Sequence, residues 1–125
     1  MTWLLVAAGG AIGSALRHGL NQLIHQRFLS ATFPIGIFLV NVIGSTAIGM
    51  IAGLLASGRL HLSDESRIFL IVGVLGGFTT FSSFSLDTLT LLKAGHLAKA
   101  LINVGGQVGL SLLGVWLGFK FSAAR

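Results

Sequence analysis

The sequence predicts an all-α integral membrane protein built from four transmembrane helices. Two observations carry that expectation. Of 125 residues, 54% are hydrophobic and only 9% are charged, with a mean hydropathy of +0.92, whereas soluble domains carry about 25% charged residues. A helix crossing the hydrocarbon core needs roughly 20 apolar residues, and four such segments with short connections use nearly the whole chain. A single domain over residues 1–125 is therefore expected, with no soluble module attached. Cysteine is absent, which removes disulfides, thiolate chemistry and thiolate metal sites. The net charge of +5 comes from basic residues near segment ends. That placement suits anchoring to anionic lipid headgroups and argues against a nucleic-acid partner.

The first segment, about 3–23, contains GGAIGSALRHG. It has neither a basic stretch ahead of its apolar run nor a clear small-residue cleavage site, so it reads as a helix and not as a cleavable signal. HQRFLSATF follows as a short polar connection. The second segment, about 34–56, opens at Pro34, whose fixed φ suits a helix's first turn. Its Gly44, Ser45, Gly49 and Gly53 let another helix come close. The next connection, SGRLHLSDESR, holds Asp64 and Glu65 at a helix start, with Ser63 as the expected cap. The third segment spans about 67–92, KAGH makes a turn, and the fourth spans about 97–121. Trp3 and Trp116 suit the two interfacial belts.

With four spans, Arg59, Arg67, Lys120 and Arg125 fall on one side, and Arg27, Lys93 and Lys99 on the other, while Arg17 lies inside the first segment. Lys/Arg asymmetry sets orientation, and here there is almost none. One reading is insertion in both orientations followed by antiparallel pairing; the other is that a single charge, or Arg17, decides the matter.

The third segment carries the informative string, GGFTTFSSFS, from Gly76 to Ser85. Nineteen uncharged residues lie between Arg67 and Asp87, and Gly77 is their midpoint. A helix broken there would free backbone carbonyls at the bilayer centre, which is tolerated only inside protein or along a cavity. Such carbonyls would suit a monovalent cation. The alternative is an unbroken helix whose glycines permit tight packing. Phe78, Phe81 and Phe84 recur every three residues and predict one slanting row of rings. Thr79, Ser82 and Ser85 form a second row, and Thr80 and Ser83 a third. Hydroxyls in membrane helices commonly bond back to their own carbonyls. Five within seven positions nonetheless make a dense donor cluster, and hydroxyl protons and aromatic ring edges both attract anions without a fixed charge.

Asn41 lies about 12 Å inside the second segment, where its amide needs partners. Asn103, Gln107 and Ser111 share one face of the fourth segment. Each alone reads as interhelical hydrogen bonding; together with the third segment they suggest a polar track of weak donors, the kind of path that suits conduction. Arg17 either snorkels to the interface or draws anions toward a vestibule. Asp87 is expected at a boundary, paired with a helix end or a hydroxyl. His18, His25, His61 and His96 have no metal-ligand spacing.

GGFTTFSSFSLD, PIGIFLVNVIGS and GGAIGSALRHG together resemble the Fluc (CrcB-type) bacterial fluoride channels over essentially the whole chain. The resemblance implies a helix break in the third span, an antiparallel dual-topology homodimer with two fluoride pores, and a bacterial inner membrane location. It implies a structural Na+ at the dimer interface, held by backbone carbonyls of Gly76 and Thr79. It also implies that Asn41, Phe81, Phe84, Thr80, Ser82 and Ser83 line the pore. Asn103, Gln107 and Ser111 would continue it, with Arg17 in the vestibule. Ile37 departs from a threonine common in relatives, Gln107 from a serine, His18 from an aromatic and Asp87 from a glutamate.

Fluoride ion, membrane lipid and a second copy of the chain are the expected partners. The rival from another class is a small dual-topology multidrug or other small-solute transporter, but proton coupling needs an intramembrane carboxylate at the substrate site. A holin-like scaffold leaves the rings and hydroxyls unexplained. No nucleophile–base pair or metal cluster supports an enzyme.

Overall fold

A computed structural model describes residues 1–28 and 32–124; Arg125 and the middle of the HQRFLSATF connection lie outside the described residues. The elements are α1 (Thr2–Arg27), α2 (Ile35–Ala56), α3 (Asp64–Arg67), a π-helical stretch (Ile68–Leu75), α4 (Gly76–Phe78), α5 (Phe81–Lys93) and α6 (Leu97–Ala123). Three runs, α2, Asp64–Lys93 and α6, are long and apolar enough to cross a membrane. This is the architecture of a multi-pass membrane protein. At 26 residues α1 reaches about 39 Å, but Arg17, His18, Asn21, Gln22, His25 and Gln26 make its second half polar.

Local chemistry sets the boundaries. Ser63 caps α3, accepting from the Ser66 N–H at 3.1 Å. Pro34 stands one residue before α2, as its N-cap, and not inside the first turn. Gly58 and Gly95 take φ of +76° and +81° in the turns that follow α2 and α5, a left-handed conformation that glycine adopts without steric cost.

Two close helix pairs organise the bundle. α1 lies along the π-helical stretch and α4, and α2 lies along α6. In the first pair, glycine faces backbone: a Cβ on Gly9 would stand 2.8 Å from the Gly73 Cα, and one on Gly77 would stand 2.7 Å from the Gly10 carbonyl oxygen. In the second pair, a Cβ on Gly118 would stand 2.6 Å from the Thr46 carbonyl oxygen. With no hydrophobic drive between helices in lipid, such close backbone approach is the main source of attraction. Little apolar surface is enclosed, so Val40, Phe84, Leu91 and Ala100 form the buried hydrophobic core.

The third span is interrupted, but not at its glycines. Gly76 and Gly77 are helical, and the chain opens into extended conformation at Thr79 and Thr80. The ring row is split as a consequence. Phe78 ends α4, where its ring packs over Gly44, whereas Phe81 and Phe84 follow the break on α5. Threefold spacing predicts a row only where the helix is continuous.

Candidate functional site

The interruption is built by side chains that take over backbone hydrogen bonds. An unbroken helix would give the Thr80 N–H to the Gly76 carbonyl; here it goes to Asn41 Oδ1 at 2.9 Å. The Ser83 N–H, due to the Thr79 carbonyl, goes instead to Thr80 Oγ1 at 3.1 Å, which makes Thr80 the N-cap of α5. Asn41 Nδ2 then returns a bond to the Thr80 carbonyl at 3.1 Å, so one asparagine holds both polar groups of the same residue. In lipid every displaced N–H needs such a replacement partner.

From Asn41 a relay of hydrogen bonds crosses to α6 and back. Asn41 Nδ2 donates to Gln107 Oε1 at 2.7 Å, Gln107 Nε2 to Asn103 Oδ1 at 2.8 Å, and Asn103 Nδ2 to Thr88 Oγ1 at 3.0 Å. Thr88 Oγ1 ends the series on the Phe84 carbonyl at 2.8 Å. Every donor points the same way, and directed chains of this kind strengthen one another in low dielectric.

Beside the relay opens a cleft of about 340 Å³. α2 lines it with Asn41, Gly44, Ser45 and Ile48; the third span contributes Ile71, Leu75, Gly76, Thr79 and Thr80; α5 adds Phe81 and Phe84, and α6 adds Gln107, Val108 and Ser111. No charged residue is among them. The two phenylalanine rings stand 5.3 Å apart at 64°, edge toward face. Phe84 is 8% exposed and Phe81 76%, so one ring is fixed in the wall and the other leans out from it. Amide and hydroxyl protons with electropositive ring edges make a surface that favours a small anion while carrying no net charge.

The structure gathers Asn41, Thr80, Phe81, Phe84, Gln107 and Ser111 around this cleft, together with Gly76 and Thr79. Asn103 is not on the lining; it is fully buried behind Gln107. Ser82 and Ser83 stand off the cleft as well, Ser82 Oγ pairing with Thr80 Oγ1 at 3.1 Å. The second hydroxyl row dissolves into local bonds, with Thr79 Oγ1 donating to the Leu75 carbonyl and Ser85 Oγ to the Phe81 carbonyl. Arg17 reaches over from α1, its Nη1 3.5 Å from the Thr79 carbonyl oxygen. Asp87 Oδ2 is buried without a hydrogen-bond partner among the described residues, so the pairing expected for it is not seen; Asp87 lines a second cleft of about 290 Å³ with Asn21 and His25. Among the described residues no cluster of His, Asp and Glu could hold a metal ion.

Sequence reasoning missed Thr88 and Ser45. Thr88 had a signal: Thr80, Phe84 and Thr88 are spaced i, i+4, i+8, hence on one side of α5.

The family model described as "CrcB-like protein, Camphor Resistance (CrcB)" matches residues 4–119. A relative from Thermus thermophilus, named "Fluoride-specific ion channel FluC", is 49% identical over 122 residues, covering 98% of this chain and 95% of its own length. A relative of the same name from Paramagnetospirillum magneticum is 49% identical over 119 residues, covering 94% of this chain and 92% of itself. One from Aeromonas salmonicida is 44% identical over 124 residues, covering 99% and 98%.

Proposed function

Because this chain belongs to the CrcB-like family, we infer that it is a fluoride-specific ion channel, a membrane protein that catalyses no reaction. One observation of the structure carries that reading: a cleft at a broken membrane helix lined by uncharged polar groups and a pair of phenylalanine rings. Fluoride is small and strongly hydrated, so entering a membrane requires groups that replace water. A fixed positive charge would hold the ion too tightly to let it leave.

The finer features follow from the same premise. α1 is the fourth crossing helix, its length sufficient and its polar second half ending near an interface. The working unit is an antiparallel homodimer of chains inserted in both orientations, which the nearly even spread of Lys and Arg supports. A second copy placed against the open cleft would cover Phe81, and two such clefts give two pores. Gly76 and Thr79 would suit a hard cation, since the N–H groups that would occupy their carbonyls go to Asn41 and Thr80 instead; the Arg17 guanidinium, 3.5 Å from the Thr79 oxygen, would have to turn away as the ion binds. These carbonyls from both copies would hold a structural Na+, which supplies charge balance and ties the copies together. The protein sits in the bacterial inner membrane and lets fluoride leave the cytoplasm after HF has carried it in. Ser111 and the second amide proton of Gln107 provide donors along the way, while Asn41, whose two amide protons go to Thr80 and Gln107, holds that wall in place; Arg17 supplies the attraction at the vestibule.

Liposomes containing the purified protein release fluoride rapidly and chloride hardly at all when an electrode follows each ion. Equal release of both ions overturns the assignment. So does proton-coupled uptake of a cationic dye, which would favour a small-solute transporter.

A further inference from the structure

Within the channel reading, on which it rests, we propose that Thr88, acting through Asn103, is a positioning residue that fixes the orientation of the Phe81–Phe84 ring pair.

The geometry of the relay is the ground for this. It starts at the N–H of Thr80, the N-cap of α5, and returns to α5 two turns along at the Thr88 hydroxyl, which bonds back within the helix to the Phe84 carbonyl. In between it passes through α2 at Asn41 and through α6 at Gln107 and Asn103. The part of α5 that bears both rings is therefore tied to α2 at its start and, through Thr88 one turn beyond Phe84, to α6. A helix held at one point can still rotate about its axis; held at both, it cannot, and the ring edges keep one direction. Thr88 is the last tie. Its hydroxyl accepts from Asn103 and donates to Phe84 in the same act.

Thr88 is not on the cleft lining and meets no ion there. Its neighbour in the relay, Asn103, is 0% exposed, so no water can replace a lost hydroxyl. Without it the Asn103 amide turns toward another acceptor and draws its carbonyl away from Gln107 Nε2. Gln107 lines the cleft and takes the proton of Asn41, so the disturbance ends at the break itself. A threonine bonding to the carbonyl four residues back is ordinary in membrane helices. The bond from another helix onto that same hydroxyl is what turns it into a tie.

The test places 4-fluorophenylalanine at position 84 and reads the ring by ¹⁹F NMR beside fluoride efflux. Unsubstituted Thr88 gives a single narrow resonance. Thr88→Val keeps the shape and removes the hydroxyl; the resonance broadens or splits and efflux falls about tenfold, as for supporting groups at other sites. Thr88→Ser restores both. Leu91→Val, a core change on the same helix, lowers thermal stability and leaves the resonance in place. Should Thr88→Val not fold, Thr88→Cys, which keeps only a weak donor and acceptor, takes its place with an intermediate spectrum expected. A wild-type resonance and wild-type efflux in the hydroxyl-less protein overturn the proposal. So does a loss that serine fails to restore. If the wild-type protein releases no fluoride, the channel reading falls, while the ring spectrum still decides whether Thr88 sets the rings.

Discussion

Gly76–Gly77 and Thr79–Thr80 stand side by side in one span, and their roles are the reverse of what intrinsic helix propensity suggests. The glycines, poor helix formers, are helical, and Gly77 is pressed against the backbone of α1. The threonines, better helix formers, are extended. The difference lies in partners. Next to Gly77 another helix comes close enough to reward the missing side chain. At Thr80 an asparagine from α2 offers both an acceptor for the N–H and a donor for the carbonyl. Where no water is available, a helix opens where replacement hydrogen bonds wait, and not where the chain is weakest.

Four substitutions, with Gly10→Ala as a control beside the first, probe that contrast, taken from the largest effect to the smallest. On the glycine side, Gly13→Val drives a side chain into the backbone of Val74 and Phe78. It should cost about 3 kcal/mol or more and abolish a monodisperse peak in detergent. Gly10→Ala, whose new methyl meets nothing within 4 Å, should elute as the wild type; equal damage from both would show that close approach is not what the glycines provide. On the break side, Asn41→Leu strands the Thr80 N–H and Gln107, at about 1–3 kcal/mol for each orphaned group. Melting temperature should fall and fluoride flux vanish within detection, and a folded, conducting Asn41→Leu would mean the break holds without its clamp.

Phe81→Ile is milder for the fold, because the ring is 76% exposed in the chain. Flux is expected to drop about tenfold, consistent with the loss of one favourable ring-edge contact of roughly 1.4 kcal/mol, while stability barely moves. Unchanged flux in that variant removes the ring from the path. Ser85→Ala closes the series. Its hydroxyl only returns to the Phe81 carbonyl, so stability should stay within about 0.5 kcal/mol and efflux should match the wild type. A lower rate would place the serine in the pore.

The helices were legible because hydropathy and turn residues are local signals. Ser63, Gly58 and Gly95 act on neighbours within a few positions. In the residues alone a broken and an unbroken third helix stayed open, and only the family resemblance implied a break; its cause is a contact between Asn41 and Thr80, 39 residues apart. For the same reason the ring row was overextended to Phe78: threefold spacing assumes a continuous helix. The polar residues of α6 were legible as one face, but a face does not say which members look inward. Asn103 and Gln107 are one turn apart, and only Gln107 reaches the cleft. Thr88 carried a spacing signal that looked like routine bonding back along its own helix, and its second partner sits on α6.

The wide-wound stretch Ile68–Leu75 has its own consequence. Single π-bulges hold one amino acid more than the same rise of α-helix needs, so the first half of the span contains slack. Deleting Val72, which is largely exposed, lets the coil tighten while both flanks keep their phase. The same deletion in the middle of α2 swings every later side chain by about 100°. A residue can then be lost here without turning Thr80 away from its asparagine, and a normally eluting protein lacking Val72 is the sign that it can.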